Sequence, residues 1–177
     1  MDNKTGLWVV VEAMRRASKQ NLRTSLYTVS TVAEEIGLRG AQTSCHGIDP
    51  QIGLAVDVTH ATDCPTIEKK KEGDVDLGGG PVVYRGPNMN PLVVDRLEKV
   101  ADANSIPYQL GALSRASPTD ANALQVSRAG VAAGLVSIPN RYMHSAVEMI
   151  SLEDLDHAAD LLAAFVIDLK PSDDFTP

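Results

Sequence analysis

Residues 52–61 read IGLAVDVTHA, and how this run is read decides the fold. It is almost continuously apolar, with β-branched side chains spread along it, the composition of a strand covered on both faces in a parallel or mixed sheet. Its single carboxylate, Asp57, is out of keeping with that setting. An ionised acid within an apolar strand costs several kcal/mol unless it is paired or holds a metal. Asp57 is therefore a candidate functional residue, with a buried ion pair as the competing reading.

Working outward, GPVVYRG (80–86), PYQLGAL (107–113) and GVAAGLVSIP (130–139) read as further strands, and RTSLYTVSTV (23–32) as a strand preceding 52–61. Helical spacing takes over between them. Over 2–19, Leu7, Val10, Val11, Met14 and Ala17 form one stripe and Glu12, Arg15, Arg16 and Lys19 another, with Asp2 or Asn3 as N-cap. RGAQTSCHGI (39–48) is predicted as a short helix, and 119–128 as another. In 88–105, Asn90 is placed to cap a helix with Pro91 at its first position. From 151 to 169, Ser151 and Asp154 have capping-box spacing before a long apolar stripe. KPSDDFTP (170–177) is expected to trail off, so the domain is assigned to 1–170 and a polar tail to 171–177. Alternating helices and apolar strands define an α/β layered domain with a largely parallel or mixed sheet, in which ligands sit at the carboxyl ends of strands.

Composition narrows the function. The 177 residues suit one domain with a real core; 44% are apolar, and no run is long enough to cross a bilayer. A formal net charge of -7 argues against a nucleic-acid partner, and Lys69, Lys70 and Lys71 are interleaved with acids as in a solvated loop. No secretory leader is read at the start, and Cys45 and Cys64 lack metal-type spacing, so a cytoplasmic protein with reduced thiols is expected. Residues 66–80 are expected to be the most flexible segment; Gly78, Gly79 and Gly80 lack the Lys-Ser or Lys-Thr that completes a phosphate loop.

The acids and histidines at strand ends and helix starts are Asp2, Glu34, Glu35, Asp57 and His144. Carboxylates with imidazole suit zinc, cobalt or manganese, and of two adjacent glutamates one can bind metal while the other serves as general base. Each also has a plain reading: Asp2 as a helix cap, Glu34 and Glu35 as a solvated pair, His144 as a surface histidine. His46, His60 and His157 keep the plain reading, with His60 a neighbour of the site. Asp63 and Asp120 are read as turn caps, with a role in orienting ligands as the alternative.

Taken in order, DNKTG, STVAEEIGLRGA, GLAVDVTHATDCP, VYRGPNMNP, PYQ, TDANALQVSRAGV and SIPNRYMHSAVE resemble motifs of the glutamyl and deblocking aminopeptidases, a tetrahedral aminopeptidase family (peptidase family M42) also described as endoglucanase homologues. The resemblance runs from Asp2 to about Phe165 and implies a three-layer zinc-peptidase-like domain with a mixed, mostly parallel central sheet. It implies further that Asp2 bridges two divalent metals, zinc or cobalt, that Glu35 and His144 complete one site, that Asp57 binds the other ion, and that Glu34 is the general base for hydrolysis of an N-terminal peptide bond. Members of the family are about twice as long. A segment preceding the bridging Asp supplies their first strands and a histidine ligand to the second ion, and an inserted β domain serves assembly. Without these, one ion or none and impaired turnover are expected here, and a catalytically inactive assembly module is the alternative. RASPTDA departs from the family's glycine-containing turn, with Ser117 and Pro118 restricting φ. The implied partners are a peptide substrate and further copies of the chain, with no nucleic acid and no membrane. A cellulase is disfavoured, since Trp8 is the sole tryptophan and aromatics make up 4%.

Overall fold

The computed structural model describes residues 1–65 and 67–176; Thr66 and Pro177, named above in the flexible segment and the tail, lie outside the described residues. The elements are α1 (Lys4–Ala17), α2 (Arg39–Ile48), β1 (Ile52–His60), α3 (Lys69–Glu72), β2 (Val82–Arg85), α4 (Pro91–Ala103), β3 (Gln109–Ala112), α5 (Asp120–Gln125), β4 (Ala132–Arg141), β5 (Met149–Ile150) and α6 (Leu152–Asp168). The sheet order is β1-β4-β2-β3, with β5 on β4. β1 pairs with β4 in parallel along its whole length, as does β2 with β3, whereas the antiparallel pairings of β4 with β2 and β5 cover two residues each. The sheet is therefore mixed and mostly parallel.

Three layers result. α1, α4 and α6 cover one face, and α5, backed by α2, covers the other. Two glycines mark the two faces: a Cβ on Gly134 would meet Val93 and Leu97 of α4, and one on Gly53 would meet Leu124 of α5. Val82, Val83, Leu135, Val136 and Ile138 of the central strands are buried with Leu97, Leu161 and Phe165. Each such side chain contributes about 1.5–3 kcal/mol on burial.

α6 is capped by Ser151, whose hydroxyl accepts from the Asp154 amide at 3.4 Å. The other half of the expected capping box is not made. The carboxylate of Asp154, fully buried, accepts from the amides of Gly78 at 2.9 Å and Gly80 at 2.8 Å. The glycine run thus docks on an acid of the protein itself. Gly80 (φ 92°) has no room for a Cβ, which would lie 2.4 Å from the Pro107 carbonyl.

The structure corrects three readings. Residues 23–32 are not a strand: they have no ladder partner, and Tyr27 and Val32 lie mostly exposed at 65% and 72%, because β-forming composition cannot make a strand without a neighbour's backbone. α1 buries Val9, Ala13 and Ala17, not the stripe of Leu7, Val11 and Met14, which is exposed. Small residues allow the close approach to α6, where Arg16 also bonds Asp156 and Asp160 at 2.7 Å each. The segment after α6 folds back instead of trailing off. Phe175 packs on Phe165 (centroids 6.5 Å apart) under Arg96, whose guanidinium meets Asp168 and Asp173.

Candidate active site

Asn3, not Asp2, caps α1, since its Oδ1 accepts from the Gly6 amide at 2.9 Å. Its Nδ2 donates to the Val56 carbonyl at 2.7 Å and seats the start of the helix against β1. The Asp2 carboxylate is thereby released from capping. Glu34 and Glu35 lie on a tight turn, with the Glu34 carbonyl accepting from Gly37 and Leu38. Ala33 before them and Leu38 after them have φ of 57° and 56°, the left-handed region that costs a non-glycine residue about 1 kcal/mol or more. Gly40 locks this turn to α2 by donating to the Val32 carbonyl at 2.9 Å, and a Cβ there would lie 2.4 Å from Val32 backbone atoms.

His144 follows β4, with φ 63°, and its amide donates to Glu148 Oε1 at 3.0 Å. Glu148 Oε2 accepts from the Asp2 amide at 3.1 Å and meets the terminal ammonium of Met1. The ammonium and these two amides hold the Glu148 carboxyl down at about 2. Glu148 thus splints Asp2 to His144. Glu148 was not among the candidate site residues, although an acid four residues after a candidate ligand was the available signal.

Three of the five candidates come together. Asp2 Oδ2 lies 3.1 Å from His144 Nε2, and one donor atom each of Asp2, Glu35 and His144 lie within 4.8 Å of one another. Donors about 2.0–2.2 Å from a tetrahedral ion stand roughly 3.4 Å apart, so small side-chain movements make this set fit a first-row divalent cation. Asp57 is outside that group but close enough to be perturbed by it. Burial, then the carboxylates of Glu34, Asp2 and Asp120, push Asp57 up to about 7, against the bond that its Oδ1 accepts from the Val58 amide. Glu34 is half-buried and raised from the ordinary range, by burial first and then by Asp120, Glu35 and Asp2.

Asp120 belongs with these acids. Thr119, not Asp120, caps α5; Asp120 Oδ2 accepts from the Thr31 hydroxyl at 2.7 Å, and its buried Oδ1 has no partner among the described residues. The departure at Ser117 is accommodated by hydrogen bonding: its amide donates to Asn88 Oδ1, and its hydroxyl pairs with Thr119 Oγ1 at 2.8 Å. Asp63 stands apart in a two-pronged ion pair with Arg141 (2.8 and 2.6 Å) and also accepts from the Leu77 amide. His60 ends β1 opposite Asn140 and is not among the gathered ligands.

The structure is a layered α/β domain that gathers acids and an imidazole, and comparison with known proteins gives its family. The profile of the M42 glutamyl aminopeptidases matches residues 1–161, and the chain belongs to that family. It is 40% identical over 179 aligned positions to the lysyl aminopeptidase of Pyrococcus furiosus, covering 100% of this chain and 49% of that protein. The TET aminopeptidase of a marine-sediment Thaumarchaeota archaeon superposes with TM-score 0.88 at 34% identity, over 96% of this chain and 48% of that one. The TET1 peptidase of Pyrococcus horikoshii, described as assembling into a tetrahedron or a large octahedral shell, superposes with TM-score 0.78 at 29% identity, over 95% and 48%. The chain spans about half the length of the relatives it matches. No helix among the described residues is long and apolar enough to cross a membrane.

Proposed function

We propose that this chain carries the greater part of the catalytic site of a metal-dependent aminopeptidase that removes N-terminal residues from peptides. The convergence of Asp2, Glu35 and His144 is the observation that supports this reading most directly. These three residues would hold one divalent ion, zinc or cobalt, and Asp2 with Asp57 would face a second. Such ions, when bound, polarise the scissile carbonyl and make a water nucleophilic at neutral pH.

The protein's own contribution lies in proton handling and positioning. Glu34 is raised from the ordinary carboxylate range, which suits a group that takes a proton from the attacking water and returns it to the leaving amine. Its backbone is fixed by the Gly37, Leu38 and Gly40 turn bonds, so the carboxylate is aimed without help from a flexible loop. Glu148 keeps Asp2 and His144 at a set separation. Among the described residues no three-ligand group forms around Asp57, so one ion should bind more tightly than the other, and turnover by the isolated chain should be low.

The test separates the two adjacent acids. Zinc or cobalt binding is measured by calorimetry, and release of free amino acids from short peptides is followed with added metal. Glu35→Gln should lower metal affinity. Glu34→Gln should leave affinity nearly intact and lower turnover by about 10²–10⁴-fold. Equal loss of metal in both variants, or full activity in Glu34→Gln, would overturn the assignment. Two equally tight ions per chain would overturn the expected inequality between the sites.

A further inference from the structure

His144 is carried by a turn whose shape has to be imposed from outside. β4 ends at Arg141 and the chain returns antiparallel through β5, with Arg141 opposite Met149 and Asn140 opposite Ile150. Between them Tyr142 and His144 take φ of 60° and 63°, a left-handed conformation that non-glycine residues keep only where their surroundings fix it. Glu148 fixes the far end of the turn through the His144 and Asp2 amides. At the near end stands Arg141, three residues before His144.

The Arg141 guanidinium grips Asp63 with both prongs: Nε donates to Oδ1 at 2.8 Å and Nη2 to Oδ2 at 2.6 Å. A planar fork on a carboxylate fixes direction as well as distance, which a single contact between flexible side chains does not. Asp63 in turn stands on a firm base. The Ala61 amide donates to the Asn140 carbonyl at 3.0 Å and ties this segment to β4 itself. The buried Thr62 donates its amide to the Val75 carbonyl at 2.7 Å, and its hydroxyl accepts from the Val75 amide at 2.8 Å. Asp63 Oδ2 also accepts from the Leu77 amide at 3.0 Å. The ion pair is partly open to water, at 31% and 19% exposure of the two side chains, which makes direction its main contribution.

We infer that Asp63 is a positioning residue for His144: by clamping Arg141 it sets where the turn leaves β4, and with it where Nε2 stands relative to Asp2 and Glu35. Its consequence for metal affinity rests on the proposed role of those three residues as ligands. Asp2 Oδ2 stands 3.1 Å from His144 Nε2, near the roughly 3.4 Å that two donors take around a tetrahedral ion. A shift of about 1 Å in the imidazole breaks that arrangement, while Asp2 and Glu35, carried by other segments, stay in place. Groups that orient ligands from behind are worth about 10–100-fold in metal affinity.

The test uses the full 177-residue chain titrated with cobalt(II), whose visible bands are strong in four-coordinate sites and weak when water raises the coordination number. Asp63→Asn should lower cobalt affinity at least about tenfold and weaken the bands. In the metal-free chain it should speed amide exchange at His144 about tenfold, and more than it speeds exchange at Leu161 in the core of α6. Asp63→Glu keeps a carboxylate for the fork and should recover most of each loss. Arg141→Lys keeps the charge but removes the two-pronged grip, and should reproduce the Asp63→Asn result even if that variant proves too unstable to purify. Arg96→Gln breaks its ion pair with Asp173, of similar exposure and away from the site, and should change neither the bands nor exchange at His144. Parent-like bands and exchange in Asp63→Asn and Arg141→Lys, or equal losses in Arg96→Gln, would overturn the inference. A parent chain that binds no cobalt would overturn the metal reading instead, and exchange at His144 would still decide the positioning role.

Discussion

Asp154 stands where a helix can use an acid to cap itself, yet its carboxylate turns to the amides of Gly78 and Gly80. Burial raises its pKa against the pull of those two bonds, so the charged form gains less than its geometry suggests. Asp154→Ala would leave two buried donors unsatisfied and should cost about 2–4 kcal/mol, read as a lower urea midpoint with an unchanged slope. Asp63 behaves in the opposite sense. The Arg141 guanidinium beside it holds its carboxyl below the ordinary value. Its contribution is therefore present above the unfolded-state pKa of about 4 and is lost as pH falls through the lower folded value. Stability measured from pH 6 down to pH 2 should fall more gently in Asp63→Asn than in the parent chain.

The turn bearing Glu34 and Glu35 owes its position to the next element. Gly40, in the first turn of α2, admits the Val32 backbone where any side chain would collide. Gly40→Ala should leave the helix and sheet content intact by circular dichroism, cost about 1–3 kcal/mol, and weaken metal binding more than an exposed substitution of equal cost, because the Val32 backbone must give way and the turn that carries Glu35 shifts with it. Strand composition alone was misleading in the same region. Residues 23–32 are rich in β-formers, but no described strand lies alongside to pair with them. On α1, helical periodicity was read correctly and the buried face was not, because Val9, Ala13 and Ala17 fit closely against α6 while larger side chains do not.

For the molecule as a whole, the exposed Trp8 and Val11 on the outer face of α1 are surface that a lone soluble monomer seldom keeps bare. We expect more than one copy per particle, and light scattering at micromolar concentration checks this; a compact monomer would count against it.

Local chemistry made much legible in the sequence. Asn90 with Pro91, Ser151, the apolar strands and the long final helix are written in capping residues and periodicity, which act over a few neighbours, and the candidates Asp2, Glu34, Glu35, Asp57 and His144 stood out by type and position. Only the tertiary structure decided which of them meet. Asp2 and His144 lie 3.1 Å apart across most of the chain because Glu148 ties their backbones together, and Asp57 stays outside their group because β1 fixes it in the sheet. Those distances are set by packing between elements remote in sequence, and no local pattern encodes them.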